Sequence, residues 1–326
     1  MNMIAPATPL LDVRNLVVPH RKDGHAFNAV DDVSFSLQPG ETLGLVGESG
    51  CGKSTLARAI MGLYPSSSGN ISFKGADITT KGSSLFRPRR SRDITRGLQM
   101  VFQDPLLSLN PRATIGRIVE EPLIVNGVRN RAARRAKVGE MLTRVGLGPD
   151  VMDRLPHEFS GGQRQRIGIA RALSLTPELI ICDEPVSALD LSVQAQVLNL
   201  LNDLQVDLKL SYLFISHDIA VLRYMASRVI VMYLGKIVEA GPADVLWNAA
   251  RHPYTKALIA AAPGDPTAGP RARPNKVTLG DIPSPVDRPH GCSFHTRCAL
   301  RQSRCVETEP ALRRVGPGHF VACHFA

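Results

Sequence analysis

The chain has 326 residues, with 39 Lys and Arg against 29 Asp and Glu, a formal charge of +10. With 44% hydrophobic and 21% charged residues it is not a disordered chain, and its length suits one large domain with an appendage, or two domains. It has no uninterrupted apolar run of the ~18 residues that a bilayer span needs, and Met1-Asn2-Met3-Ile4-Ala5-Pro6 lacks the pattern of a secretory signal, so a soluble, cytoplasmic protein is expected.

Leu11, Val13 and Leu16-Val17-Val18 predict a first strand, and Val30, Val33, Phe35 and Leu37 a second with near-alternation. Pro39-Gly40 is a turn, and Thr42–Val46 a short apolar strand suited to a buried sheet. From Ser54 the pattern becomes helical, with Leu56, Ile60 and Leu63 on one face. Residues from about 105 to 175 are rich in Arg, Ala and Leu and read as mostly helical. A second apolar strand, Leu179–Cys182, follows Pro177, and a helix from Ser192 places Val193, Val197, Leu200, Leu201, Leu204 and Leu208 at a 3.6-residue period. Tyr212–Ile215 and Arg228–Tyr233 are further buried strands. Strands alternating with helices predict an α/β domain with a largely parallel sheet. Pro263, Pro266, Pro270 and Pro274, interleaved with Gly264 and Gly269, read as a linker.

Gly47-Glu48-Ser49-Gly50-Cys51-Gly52-Lys53-Ser54 fits G-x-x-x-x-G-K-[ST] at every fixed position, between an apolar strand and a helix. Glycines allow the backbone to turn its N–H groups around phosphate oxygens, and the helix adds its positive N-terminal end. Lys53 is placed to reach the β- and γ-phosphates, and Ser54 to offer a hydroxyl to Mg²⁺. Leu179-Ile180-Ile181-Cys182-Asp183-Glu184 ends an apolar strand on two carboxylates. Asp183 suits a metal ligand, and Glu184 a general base that polarises the attacking water.

Ser160-Gly161-Gly162-Gln163, set between these motifs and ahead of the Arg-rich helix 164–173, closely resembles the signature motif of ATP-binding cassette (ABC) ATPases. Gln103, in Val101-Phe102-Gln103-Asp104-Pro105, matches that family's Q-loop glutamine. Ser187-Ala188-Leu189-Asp190 matches its D-loop, and His217 its switch histidine. Phe102–Arg112, Pro156–Gln163, His252-Pro253-Tyr254-Thr255 and Gly318–His324 resemble the oligopeptide/dipeptide importer branch, and Phe159 fits its F-type subunit. The resemblance covers nearly the whole chain. It implies an α/β P-loop NTPase fold with an antiparallel β subdomain, an inserted helical subdomain and a small Cys-rich C-terminal domain. The boundaries expected are an ABC nucleotide-binding domain over 1–262, then a linker and an oligopeptide-transporter-type domain over 263–326.

The same resemblance implies an ATPase that drives import of di- or oligopeptides from the cytoplasmic face of the membrane. ATP bound by Gly47–Thr55, including Thr55, would be covered by Ser160–Gln163 of a second ATPase subunit, a D-type partner or another copy. Ser54, Gln103 and Asp183 would serve Mg²⁺, and Glu184, His217 and Gln103 the hydrolysis. Two permease subunits and an extracytoplasmic peptide-binding protein would complete the system, and the ATPase would not touch the peptide. A related importer for another solute such as nickel is the alternative. Most family members place an aromatic on the first strands to stack on adenine; here His20 and Phe27 are the candidates.

Cys292, Cys298, Cys305 and Cys323 are separated by five, six and seventeen residues. In a reducing compartment clustered cysteines bind metal more often than they form disulfides, and a Cys₄ set suits Zn²⁺ or an iron–sulfur cluster. No close C-x₂₋₄-C pair is present, and some members of the importer branch carry a 4Fe-4S cluster in a similar tail, so that cluster is expected, with zinc as the alternative. His295, His319 and His324 are candidate substitute ligands or supporting groups. Cys51 and Cys182 are expected only to pack. The basic runs Arg87–Arg92 and Arg129–Arg135 raise nucleic-acid binding, but with 5% aromatics there is no stacking platform, and solvated faces near an anionic membrane surface are expected instead.

Overall fold

The computed structural model describes residues 8–22, 24–82, 90–104, 108–262 and 281–326. The expected linker from Pro263 to Pro274, the run Pro105-Leu106-Leu107, and Arg87 and Arg89 lie outside these residues. In chain order the strands are β1 (Leu11–Lys22), β2 (His25–Leu37), β3 (Thr42–Val46), β4 (Ser68–Phe73), β5 (Ala76–Asp77) and β6 (Leu98–Val101). They continue with β7 (Leu179–Asp183), β8 (Ser211–Ser216), β9 (Arg228–Tyr233), β10 (Lys236–Pro242), β11 (Arg313–Gly316) and β12 (His319–Val321). Two compact units result: a first from residues 1–37, 42–85 and 216–326, and a second from 38–41 and 86–215.

The first unit holds an antiparallel sheet in the order β2-β1-β4-β5. Its alternation is interrupted for a physical reason. Leu11 and Val13 are buried, yet so are Leu16 and Val18, which lie on the opposite parity. The β1–β2 register shifts between Val13 and Leu16, where Asn15 takes φ 46° and Asp32 on β2 takes φ 54°. The Asn15 amide donates to Asp32 Oδ1 at 2.8 Å, and the Asn15 N–H to Ser34 Oγ at 2.8 Å. An irregularity of this kind returns the following side chains to the same face, so both halves of β1 feed one core.

The same unit carries strands in the order β11-β12-β10-β9-β3, with β3 and β9 parallel and the others antiparallel. All five residues of β3 are buried, as expected for a strand covered on both faces. Strand β12 pairs with β10 through Glu239 and Val321, so residues after 313 extend this sheet. Sequence patterning did not reveal β11 and β12, which are short and half-exposed. In the second unit β8, β7 and β6 run parallel, with β7 and β8 buried throughout. Its helices Ile115–Val125, Arg131–Arg144, Gly161–Leu173 and Leu191–Leu208 account for the helical texture of the middle of the chain. Asp190 caps the last of these by accepting from the Val193 N–H at 3.0 Å.

His252 caps the helix Pro253–Ala261 in the first unit, its Nδ1 accepting from the Tyr254 N–H at 3.1 Å. It is 1% exposed, and burial pushes its pKa down to about 3. A folded pKa below the unfolded value means that the unfolded chain binds the proton more tightly. The stabilisation is therefore complete above about pH 6.5 and is lost as the pH falls from there toward 3. His252→Asn keeps a capping acceptor without the titration. Its unfolding free energy should fall less steeply between pH 6.5 and 4, by up to about 1.4 kcal/mol per pH unit. Equal slopes in urea titrations of the two proteins would refute this.

Candidate functional site

The phosphate loop leaves β3 at Gly47 and enters the helix Lys53–Ile60 through Gly52, which takes φ 108°. A Cβ on Gly47 would lie 2.3 Å from the Met232 carbonyl oxygen and 2.6 Å from Cys51 Sγ. One on Gly52 would lie 2.1 Å from the Ala29 carbonyl oxygen. Both glycines are thus required by neighbouring backbone. Lys53 is 3% exposed, and its Nζ donates to the carbonyls of Gly47 at 2.7 Å and Glu48 at 3.1 Å. The Glu48 N–H donates to the Tyr254 hydroxyl at 2.8 Å. Ser54 and Thr55 are half-buried at the start of the helix, while Ser49 and Gly50 are exposed. Cys51 packs, as expected, with burial raising its thiol pKa.

In the second unit β7 ends on Asp183, which is 2% exposed, and Glu184. Glu184 takes φ 47°, a conformation that costs a non-glycine residue about 1 kcal/mol or more. Its N–H donates to the Ile215 carbonyl at 3.0 Å, and its carbonyl accepts from the Ser187 hydroxyl at 3.1 Å. The Gln103 side-chain amide donates to Glu184 Oε2 at 3.1 Å. Residues 81 apart in sequence are thereby brought together at the strand end. Cys182 is wholly buried, and burial carries its thiol pKa far above the ordinary value.

Ser160 starts the helix Gly161–Leu173 with a reciprocal cap: its Oγ accepts from the Gln163 N–H at 3.3 Å, and Gln163 Oε1 accepts from the Ser160 N–H at 3.0 Å. Ser160, Gly161 and Gln163 are exposed, whereas Gly162 is buried. A Cβ on Gly162 would stand 2.3 Å from Val193 Cγ1. The signature segment and the D-loop helix are therefore packed tightly on one another. Phe159 is 4% exposed, with the Arg154 guanidinium 4.5 Å from its ring centroid.

His217 is exposed and follows β8, one residue before Asp218, whose carboxylate caps the next helix through the Ala220 N–H at 2.8 Å. His20 is exposed and faces the half-buried Phe27 across the β1–β2 ladder, edge to face at 5.6 Å. Tyr64, which sequence reading missed, stands 6.3 Å from His20 and accepts a hydrogen bond from Arg58 at 3.3 Å. Only the fold brings Tyr64 to the first strands.

Cys292, Cys298, Cys305 and Cys323 line one small cavity of about 60 Å³ in the first unit, together with Phe294, His295 and His324. Burial and the neighbouring thiols push the Cys292 thiol up to about 11. The Cys292 N–H donates to the Cys305 carbonyl at 2.8 Å. His295 and His324 pair with the carbonyls of Cys292 and Thr308, at 2.9 and 2.8 Å. His319 does not join them. Its Nε2 pairs at 2.8 Å with the fully buried Glu239, whose carboxylate also accepts from the Arg251 and His252 N–H groups. Among the described residues no group of three or more Cys, His, Asp or Glu is arranged to hold a metal ion. The thiols are gathered but not set in a ligand geometry. Of the basic runs, Arg134 is tied to Glu120 at 2.6 Å and to the carbonyls of Val128 and Arg129.

Gly52→Ala combines a disfavoured φ with a backbone clash. It should destabilise the fold by about 1–3 kcal/mol and weaken nucleotide binding. Urea denaturation and ATP titration check this; wild-type values in both would show that the loop has room for a Cβ.

Residues 30–187 match the family described as ABC transporter, and residues 238–305 the one described as oligopeptide/dipeptide transporter, C-terminal region. The oligopeptide transport ATP-binding protein AppF of Bacillus subtilis is 52% identical over 296 residues, covering 91% of this chain and 89% of that protein. OppF of Haemophilus influenzae, also an oligopeptide transport ATP-binding protein, is 50% identical, covering 90% and 88%. A putative peptide import ATP-binding protein of Brucella ovis is 49% identical, covering 97% and 98%. Among solved structures, an ATP-binding cassette in a dimeric post-hydrolysis state with ADP and Pi superposes with a TM-score of 0.62 at 26% identity, covering 72% of this chain and 98% of that one. With its phosphate loop, paired carboxylates and signature helix, the chain belongs to the ABC transporter ATPases, in the oligopeptide/dipeptide branch.

Proposed function

We propose that this chain is the ATP-hydrolysing subunit that energises import of di- or oligopeptides through membrane permease subunits. The Gln103–Glu184 hydrogen bond at the end of the buried acid strand carries the hydrolytic part of this reading. The printed functions of the half-identical relatives support the peptide part.

Gly47–Thr55 bind the triphosphate, with loop N–H groups and the following helix N-terminus facing its oxygens. Lys53 then exchanges its carbonyl partners for β- and γ-phosphate oxygens. Ser54, Gln103 and Asp183 would hold Mg²⁺, which offsets the phosphate charge. Glu184 takes a proton from water as the water oxygen bonds to the γ-phosphorus and the bond to the β–γ bridging oxygen breaks. His217 holds the γ-phosphate and the attacking water. The positive φ of Glu184 turns the chain at the strand end, where Gln103 meets its carboxylate. His20, flanked by Phe27 and Tyr64, offers a face to adenine.

Ser160–Gln163 cover the ATP of a second ATPase subunit, a D-type partner or another copy, and that subunit's signature covers the site here. The exposed, capped helix start fits this role. Two permease subunits and an extracytoplasmic peptide-binding protein complete the transporter. The chain sits peripherally on the cytoplasmic membrane face, a placement compatible with described helices that are all too short or too polar to cross a membrane.

Cys292, Cys298, Cys305 and Cys323 would be the ligands of a 4Fe-4S cluster, with Zn²⁺ as the alternative, once drawn into a ligand geometry they do not have here; their shared cavity supports a common ligand. Iron and sulfide analysis of anaerobically purified protein should find the cluster. A colourless, iron-free, zinc-loaded sample would rule it out.

Glu184→Gln should bind ATP normally and lower turnover about a hundredfold or more. Nucleotide binding and phosphate release, measured on the purified chain with its partner subunits, check this. Hydrolysis at the normal rate would remove Glu184 from the role of base.

A further inference from the structure

Arg297 belongs to the 3₁₀ turn His295–Arg297, immediately before Cys298. Its side chain is 4% exposed, yet it does not point at a cysteine partner. Its two terminal nitrogens donate to the two oxygens of Glu48, at 2.6 and 2.8 Å. This is the parallel two-bond fork that guanidinium and carboxylate form best, and it joins residues 249 apart in sequence. Tyr233, Tyr254 and Phe294, each at most 2% exposed, pack beside it with ring centroids 4.8–5.4 Å apart. The Arg297 side chain is buried and that of Glu48 half-buried, so removal of the Glu48 charge leaves a buried guanidinium without compensation.

Glu48 is the second residue of the phosphate loop, and each of its polar groups is engaged. The N–H donates to Tyr254, the carboxylate accepts from Arg297, and the carbonyl accepts from Lys53 Nζ. Two of these three tethers come from residues beyond 253, and the third reaches the lysine of the loop. A shift of Glu48 therefore moves a carbonyl that holds Lys53. Without Arg297, a bare carboxylate would also stand in a loop built to accept polyphosphate.

We infer that Arg297 is a positioning residue for the phosphate loop: through Glu48 it sets the loop and Lys53 for the nucleoside triphosphate, making the Cys-bearing segment part of the ATP site. The inference rests on reading Gly47–Ser54 as that site. Arg297 itself does not touch the nucleotide. Its effect should therefore appear in ATP affinity and KM, with kcat at saturating ATP preserved.

The test uses the full chain and four proteins: wild type, Arg297→Lys, Glu48→Gln and the double variant. ATP affinity is measured by titration with MgATP, alongside thermal midpoints without nucleotide. Arg297→Lys keeps the charge and loses the fork, so the Kd for ATP should rise about tenfold. In the Glu48→Gln background the same change should alter Kd by less than about twofold. Unchanged affinity in Arg297→Lys, or the same factor in both backgrounds, would overturn the proposal. So would a lowered midpoint with kcat reduced and Kd intact, the pattern of a purely structural contact. A wild-type chain that does not bind ATP would instead overturn the reading of the loop itself.

Discussion

The carbonyl oxygens of Met232 and Ala29 stand where Cβ atoms of Gly47 and Gly52 would be, at 2.3 and 2.1 Å. This crowding forces the phosphate loop to be all backbone at its two ends, and the rest of the site follows from it. The turn into the helix at Gly52 directs Lys53 back over the loop, where the carbonyls of Gly47 and Glu48 take its ammonium. A buried ammonium needs partners, and the loop's own carbonyls supply them. Lys53 is thus held over the loop by two backbone carbonyls.

The acid strand solves a different problem. Five buried residues bring Asp183 and Glu184 to the strand end, and the positive φ of Glu184 stops the strand there. The strained residue is retained where its N–H, carbonyl and carboxylate all find partners, namely Ile215, Ser187 and Gln103. Local strain and the chemistry assigned to the residue coincide at one position.

Both strand–motif junctions were legible in the sequence because each rests on a short apolar run followed at once by its polar group. The helix expected from Ser192 was legible from its period, and the one expected over 164–173 begins three residues earlier, at Gly161; the caps Asp190 and Ser160 were seen only in the fold. The near-alternation of β2 was visible, but the cause of its interruption was not: the Asn15–Asp32 contact couples irregularities on two strands. Tyr64 and Arg297 were illegible for a similar reason. Each gains its meaning from a partner far away in sequence, His20 in one case and Glu48 in the other. His319 shows the opposite error. Its nearness to Cys323 in sequence suggested the cysteine cavity, whereas strand pairing carries it to Glu239. The short strands β11 and β12 escape pattern reading because neither is long enough to show a period.

The division of the chain between the two units also sets a timetable for synthesis on the ribosome. Apart from residues 38–41, the second unit is contiguous from 86 to 215, so it can close soon after its last strand emerges. The first unit must wait. Its β1, β2 and β3 are made early, but β9, β10 and finally β12, which covers the edge of β10, come from residues 228–321. The phosphate loop is thus translated long before Met232, Tyr254 and Arg297, the residues that shape it. During that interval the nascent chain carries a nucleotide motif without its walls.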